Sequence, residues 1–471
     1  MANVSKYFKP PVRFTLPEGS EPTETNIIKA VEELRKRQDR FKQLRDYYIG
    51  DQPILYRSME SDAAKNNKLV NNFCSYIADI CADYLLGNPV DYQTPEGLDI
   101  DKIMELYTDQ GMSDVDSDIA LDAGIYGVAY DLTFTDEKST PQTVQIDTRN
   151  TLMAYDDSVL HRELFAITCA DETTGKGDKK KTTGQITIYT RSEIITGRLD
   201  DDKWVEDKRT RHFFGEVPVT VYRNNKNAIG TFEPVISLVD AYNTIQSDRV
   251  NESEQLADAI LMLKNFTLDD NNQELLREKR LLTSVPADGD AKYITKPQNE
   301  SDSDILKKSI ADDIHKFSKT PNLSDQNFVG NSSGVALSYK LLAFEEATKT
   351  RERHMEKGLK KRLRLYWNFQ NKLALQDNSE KRTEIGKVDV IFNRALPKND
   401  YETSQMINNL KGIVKSEILV KQLSFVDNAD RALTPEAAAE SEALPETPPE
   451  TFPTVTAEEL NADIEEKLME A

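Results

Sequence analysis

Hydrophobic positions along this chain change period twice, and the changes divide it. Ile27, Val31, Leu34, Phe41, Leu44 and Tyr48 recur at helical spacing and stop at Gly50, which suits the left-handed turn that ends a helix. Val70, Phe73, Ile77, Cys81, Tyr84 and Leu85 predict a second helix, ended by Gly87-Asn-Pro89, and Ile103, Leu106 and Tyr107 a short third. From Val128 the period falls to two: Val128, Tyr130, Leu132 and Phe134 alternate with Ala129, Asp131 and Thr133, the pattern of a half-buried strand. Further strands are predicted over 143–147, 164–170, 185–191, 193–199 and 217–223, with Thr173 to Lys181 as an exposed hairpin tip.

The helical period then returns in long rods. Pro234 opens a helix with the apolar line Leu238, Tyr242, Ile245, Leu256, Ile260 and Leu263, about 45 Å long and interrupted by a polar waist at Arg249 and Glu252. Residues 264–300 read as a compact insertion with a strand near Phe266, a charged helix from Leu275 to Leu282, and a strand at Tyr293. Ser301 or Ser303 is expected to cap a helix carrying Leu306, Ile310, Ile314 and Phe317, which Pro321 ends. After a loop of Asn, Ser and Gly comes the longest rod: Leu337, Leu341, Phe344, Met355, Leu359, Leu363, Tyr366 and Leu373, capped by Ser332 or Ser333 and about 60 Å long. A strand at 388–392, a helix through Tyr401, Met406, Leu410 and Val414, and a helix over 416–423 complete the ordered pattern. The fold class read from this order is α+β, mainly helical. From Thr434 onward five prolines, eleven acidic residues and one basic residue predict a flexible acidic tail.

Charge narrows the function. Sixty Lys and Arg against 81 Asp and Glu give a net charge of −21 over 471 residues, the wrong sign for a protein that grips phosphates. Apolar runs such as Ala259 to Leu263 are too short to cross a membrane, and the N-terminal residues lack the apolar core of a signal peptide, so a cytoplasmic product is expected. Cys74 and Cys81 fall two turns apart on one predicted helix, about 10 Å and beyond disulfide reach; with Cys169 they read as reduced thiols.

Catalytic motifs are missing. No phosphate-loop lysine follows the glycines at Gly330 and Gly334, and His161, His212, His315 and His354 stand without metal-ligand spacing. Asp200 to Asp202, Asp269-Asp270 and Asp312-Asp313 could supply a two-metal nuclease, but adjacent aspartates are common in turns, and solvated turns are expected. We therefore expect no catalytic residue, no cofactor and no metal. The densest positive stretch, Lys349 to Arg364, has eight basic and two acidic residues; its plainest reading is the outward or intersubunit face of the long helix.

Several short segments, in order, carry a family resemblance: Tyr47-Tyr-Ile-Gly50; Asn67-Lys-Leu-Val-Asn-Asn72 with Tyr84-Leu-Leu-Gly-Asn-Pro-Val90; Gly215-Glu-Val-Pro-Val219 with Asn224-Asn225; Phe232-Glu-Pro-Val-Ile236 with Asp240-Ala-Tyr-Asn243; Gly334-Val-Ala-Leu337 with Tyr339-Lys-Leu-Leu342; and Arg394-Ala-Leu-Pro397. Across roughly residues 25–430 the chain resembles the portal, or head-to-tail connector, proteins of long-tailed bacteriophages. The resemblance implies a homo-oligomeric ring of about twelve subunits around a channel for double-stranded DNA at one capsid vertex, made in the host cytoplasm and carried in the virion. It implies a wing (1–233 and the return 375–396), stem helices (234–263 and 301–320), a clip (264–300), a tunnel loop (321–334), a helix spanning the wing (335–374) and a crown (397–433) before the tail (434–471). The tail stands where the family has a longer helical crown.

The residues implied for each role follow. Asn322, Leu323, Ser324, Asp325, Gln326, Asn327, Phe328, Val329, Gly330 and Asn331 would face DNA in the channel without reading bases. Gln273, Glu274, Arg277, Lys279 and Arg280 of the clip would meet the terminase large subunit and later the neck adaptor, while scaffolding and major capsid proteins surround the ring. Lys349, Arg351, Arg353, Lys357, Lys360, Lys361, Arg362 and Arg364 would touch a neighbouring subunit or DNA. The competing readings are a metal-dependent DNA-processing enzyme and a cytosolic helical scaffold protein.

Overall fold

The computed structural model describes residues 13–59, 65–174, 181–200, 203–257, 260–265, 289–294, 300–323, 334–371, 385–394 and 400–411, with Val414 and Leu419. Helix α1 (Glu24–Ile49) closes on Gly50 at φ 87°, the left-handed cap expected there. α2 (Phe73–Leu86) starts at Asn72, whose side chain accepts from the Ser75 N–H. α3 (Asp101–Asp109) and α4 (Met112–Tyr126) follow. α4 has no counterpart in the sequence reading: its buried face is made of Met112, Asp116, Ile119, Ala120, Ala123 and Gly124, too small and mixed to give a clear apolar stripe.

The strands are β1 (Phe14–Leu16), β2 (Asp91–Gln93), β3 (Val128–Thr135), β4 (Pro141–Ile146), β5 (Thr151–Asp156), β6 (Glu163–Thr174), β7 (Lys181–Tyr189), β8 (Glu193–Asp200), β9 (Lys203–Arg211) and β10 (Val219–Arg223). β1, β5, β6, β7, β8 and β9 lie in that order in one sheet, parallel only between β1 and β5. Ile27, Ala30, Val31 and Leu34 of α1 pack on its Leu152, Phe165, Ile167, Ile186, Ile188 and Ile195. A second sheet runs β10-β3-β4. The hairpin at 173–181 is present, though its tip lies outside the described residues.

β3 departs from expectation: Asp131 and Thr133, the positions alternation gave to water, are fully buried, because the long helix covers that face. The first rod also differs. A 3-10 turn over Glu233–Val235 leads into α5 (Ile236–Ala257), and Ile260 to Leu263, read as its last turns, belong to strand β11 (Ile260–Lys264), paired antiparallel with β12 (Asp290–Ile294). A short apolar run fits either period, and here the hairpin partner decides. The strand and helix expected near Phe266 and over 275–282 lie outside the described residues.

α6 (Glu300–Ser318) begins at Glu300, so Ser301 and Ser303 are inside the helix, and so is the Asp312-Asp313 pair read as a turn. α6 runs back along α5: Arg249 pairs with Asp304 at 2.7 Å, and Lys307 lies 6.0 Å from the Tyr242 ring. α7 (Gly334–Gln370) is the long rod, and β13 (Asp389–Ile391) returns to pair with β2. Contact density separates a second unit, residues 333–335 and 396–471, in which α8 (Asp400–Leu410) is described. Among the described residues, no helix is long and apolar enough to cross a membrane, and no three His, Cys, Asp or Glu side chains gather as metal ligands.

Candidate functional site: the loop base and the long helix

The loop between α6 and α7 departs from a fixed base. Lys319, at φ 61°, turns the chain out of α6, and the Thr320 N–H donates to His315 O at 3.2 Å. His315 Nδ1 donates back to Thr320 O at 3.1 Å, and burial holds this imidazole below its ordinary range. Tyr76 of α2 clamps the exit: its hydroxyl donates to Pro321 O and accepts from the Leu323 N–H, both at 3.1 Å. The Phe73 and Tyr76 rings meet His315 edge to face at 5.9 and 5.8 Å. Of the ten predicted loop residues, Asn322 and Leu323 are described, Leu323 being 44% exposed; 324–331 lie outside the described residues, as do Gln273, Glu274, Arg277, Lys279 and Arg280.

α7 carries the charged stretch, and its basic residues part in two directions. Lys349, Arg353 and Lys357 are exposed, with Lys349 paired to Glu346, and Lys360 pairs with Glu356 at 2.8 Å. Arg351, Lys361 and Arg362 point into the body, which corrects their reading as outward contacts. Lys361 Nζ meets Glu163 and donates to Val219 O at 2.6 Å. Half-buried Arg364 forks onto Glu216 at 2.6 and 2.9 Å.

Arg362 is fully buried, its Nη2 at 2.6 Å from Asp116 Oδ1 and its Nη1 at 3.5 Å from Asp131 Oδ2. Tyr222 donates to Asp131 at 2.6 Å, and the guanidinium stands 5.3 Å from the Tyr107 ring. Burial opposes the charge, but Asp116 outweighs it and holds Arg362 protonated. Arg394 joins this helix to the returning chain through Glu345, at 3.2 Å, and Glu352.

The short segments that carry the family resemblance meet in space. Glu233 is buried, and Arg40 of α1 forks onto it while donating to Tyr126 O and Ala228 O, each at 3.2 Å. Tyr47 donates to Asp240 at 2.9 Å. The extended chain before α2 lies along α5, where the N–H groups of Asn67, Leu69 and Asn71 donate to Asn251, Ser247 and Asn243 at 2.7, 3.0 and 2.7 Å. This ladder uses other residues than the polar waist read at Arg249 and Glu252, and the sequence reading assigned Asn243, Ser247 and Asn251 no role in holding the helix.

Comparison with known proteins supplies the name. A family described as phage portal protein, SPP1 Gp6-like, matches residues 29–446. The portal protein of Clostridium phage phiCD119 is 22% identical over 431 residues, covering 84% of this chain and 91% of that protein. The portal protein of Bacillus phage SPP1 is 21% identical over 427 residues, covering 86% and 82%. Among solved structures, a chain from the neck of an empty GTA particle computed with C6 symmetry has a TM-score of 0.43 at 11% identity, covering 82% of this chain and 90% of that one. With one family matching its sequence across both rods, the loop and the long helix, this chain belongs to the SPP1 Gp6-like family of phage portal proteins.

Proposed function

We propose that about twelve copies of this chain close into the ring at one capsid vertex through which double-stranded DNA is packaged and ejected. The observation that carries this reading is the family match over residues 29–446. The geometry supports it in two ways. The antiparallel pair α5 and α6 suits a stem: its far end carries the β11–β12 hairpin, where a clip would root, and its near end leads into the loop. α2 fixes the base of that loop through Tyr76, so a rigid body presents it to the bore. An acidic chain multiplied around a ring repels the duplex more than it grips it, within a screening length of about 8 Å, which suits a conduit.

In this reading Asn322 to Asn331 line the channel, residues 264–300 dock the terminase motor and then the neck adaptor, and residues 397–433 form the crown. The chain is structural, with no reaction of its own. Native mass spectrometry of purified protein should show rings; a persistent monomer would overturn the conduit. Deleting Asp325 to Gly330 should leave rings assembled but impair packaging or retention of DNA in infected cells. Loss of assembly in that variant would make the loop structural instead.

A further inference from the structure

Two charge clusters lie on opposite sides of the α2–α4 pair. The first surrounds Tyr155 of β5: the guanidinium carbons of Arg13 and Arg223 each stand 5.8 Å from the centre of its ring. Arg223, at the end of β10, lines one small cavity with Arg351 and Met355 of α7, and His354 and Lys357 belong to the same stretch of that helix. Burial and then Lys357, Arg223 and Arg13 hold His354 below its ordinary range, so the charges acting on it are all positive. Glu163, the carboxylate that acts on Tyr155, is already engaged by Lys361. Arg13 and Lys357 are exposed and Arg223 half-buried, and none of the three has an acidic partner among the described residues. In a chain of net charge −21, this is a concentrated and uncompensated positive patch.

The second cluster is its opposite. α4 contains no Lys or Arg, and Asp114, Asp118 and Asp122 follow one another at every fourth residue, a spacing at which like charges repel. Asp79 and Asp83 lie alongside on α2. Asp79 is occupied by the hydroxyls of Tyr48 and Ser75, and Asp147 nearby by Arg149, with Arg45 also close. Asp83, Asp114 and Asp118 are exposed and have no basic partner among the described residues. Burial, with Asp147 and Asp118 adding, pushes Asp122 up to about 7 against the opposing pull of Thr148 and Arg149.

Helix geometry sets the two clusters apart. Cys81, Ala82 and Leu85 of α2 and Ala120, Ala123 and Gly124 of α4 face the cavity shared with Arg223 and Arg351. Two residues along a helix turn the side chain by about 200°, so Asp83 points away from Cys81, and Asp118 away from Ala120. One chain thus offers positive charge on one side and negative charge on the other. A head-to-tail contact needs two different, complementary patches, and it closes into a ring when the rotation allows.

We propose that Arg13, Arg223 and Lys357 of one copy take the carboxylates of Asp83, Asp114 and Asp118 of the next copy around the ring. This rests on the ring reading above and assigns the register between its subunits, because charge complementarity selects orientation and speeds encounter. DNA in the channel is the less fitting partner. His354 lies about 30 Å along α7 from Gly334, where the loop ends, several screening lengths of about 8 Å away.

The test uses charge reversal on exposed positions of the full chain. Arg13→Glu with Lys357→Glu makes both patches negative; Asp114→Lys with Asp118→Lys makes both positive. Each variant alone should raise the concentration for half-assembly at least about tenfold, with an unchanged melting curve for the subunit. An equimolar mixture should restore rings, with the two variants alternating, by native mass spectrometry. Wild-type protein that forms no ring would remove the ring reading itself. Rings of wild type and of both variants at the same concentration would overturn this interface and leave the ring standing. Two variants that fail alone and also fail together would overturn the pairing. Normal rings of the Arg13→Glu, Lys357→Glu variant that lose DNA would make the positive patch a nucleic-acid contact and overturn the proposal.

Discussion

At the scale of single residues, the tightest constraint on the long helix is a missing side chain. A Cβ on Gly358 would stand 2.3 Å from Cδ1 and Cε1 of Tyr222. That ring is fully buried and its hydroxyl is tied to Asp131, so it has no free end to swing. Replacing glycine by alanine inside a helix normally gains about 1 kcal/mol, whereas overpacking a core costs about 1–3 kcal/mol. Because the obstructing ring is anchored at both ends, the clash wins. Gly358→Ala should lower stability by about 1–2 kcal/mol in urea unfolding, while Gly386→Ala, with open space around it, should stay within about 0.5 kcal/mol. A stabilised Gly358→Ala would show that Tyr222 can move. The sequence reading does not single out this glycine, and nothing local gives its reason, since Tyr222 arrives from a distant strand. Arg362 teaches the same lesson: a run of basic residues looks like a surface until Asp116 and Asp131 are found buried opposite one of them.

At the scale of elements, α5 is held by a match of two periods. Every second residue of an extended chain advances about 6.7 Å, and every fourth residue of a helix about 6.0 Å. Asn67, Leu69 and Asn71 therefore keep step, in reverse order, with Asn251, Ser247 and Asn243. The three side chains on α5 are buried, Asn243 and Ser247 completely, and each takes one backbone N–H of the chain before α2. Asn243 also donates to the buried Gln52 at 2.6 Å, tying its rung to the segment after α1. Asn243→Ala should cost about 1–3 kcal/mol and speed hydrogen exchange at Asn71 more than at Asn67. Uniform exchange along 67–71 would mean that the rungs do not hold independently. Most helices and the strand-rich middle were legible here, because their apolar periods are long enough to be unambiguous. Ile260 to Leu263 was not, since four apolar residues suit a last helical turn as well as a strand, and β12 settles it.

At the scale of the whole molecule, what matters is how the body around the two sheets holds the α5–α6 pair, because the base of the loop after α6 is placed only as well as that junction is rigid. The junction is the Arg40–Glu233 pair, with side-chain exposures of 13% and 4%. Glu233 opens the 3-10 turn before α5 and accepts from the Gly230 N–H at 2.9 Å, while Arg40 reaches it from α1 and binds two carbonyls of neighbouring segments. A buried pair adds little over an apolar replacement, yet removing one partner strands the other, at a cost of about 3–5 kcal/mol. Arg40→Met should therefore destabilise the chain by that amount, and Arg40→Met with Glu233→Leu should recover part of the loss, less whatever the Gly230 N–H and the two carbonyls forfeit. On the proposed ring reading, if the pair also sets the direction of α5 and α6, the single variant should assemble rings whose DNA retention falls further than their melting temperature predicts, and the double variant should not repair it. A double variant restored in both stability and retention would show that the junction needs only filling, and that α5 takes its direction from the Asn243, Ser247 and Asn251 ladder alone.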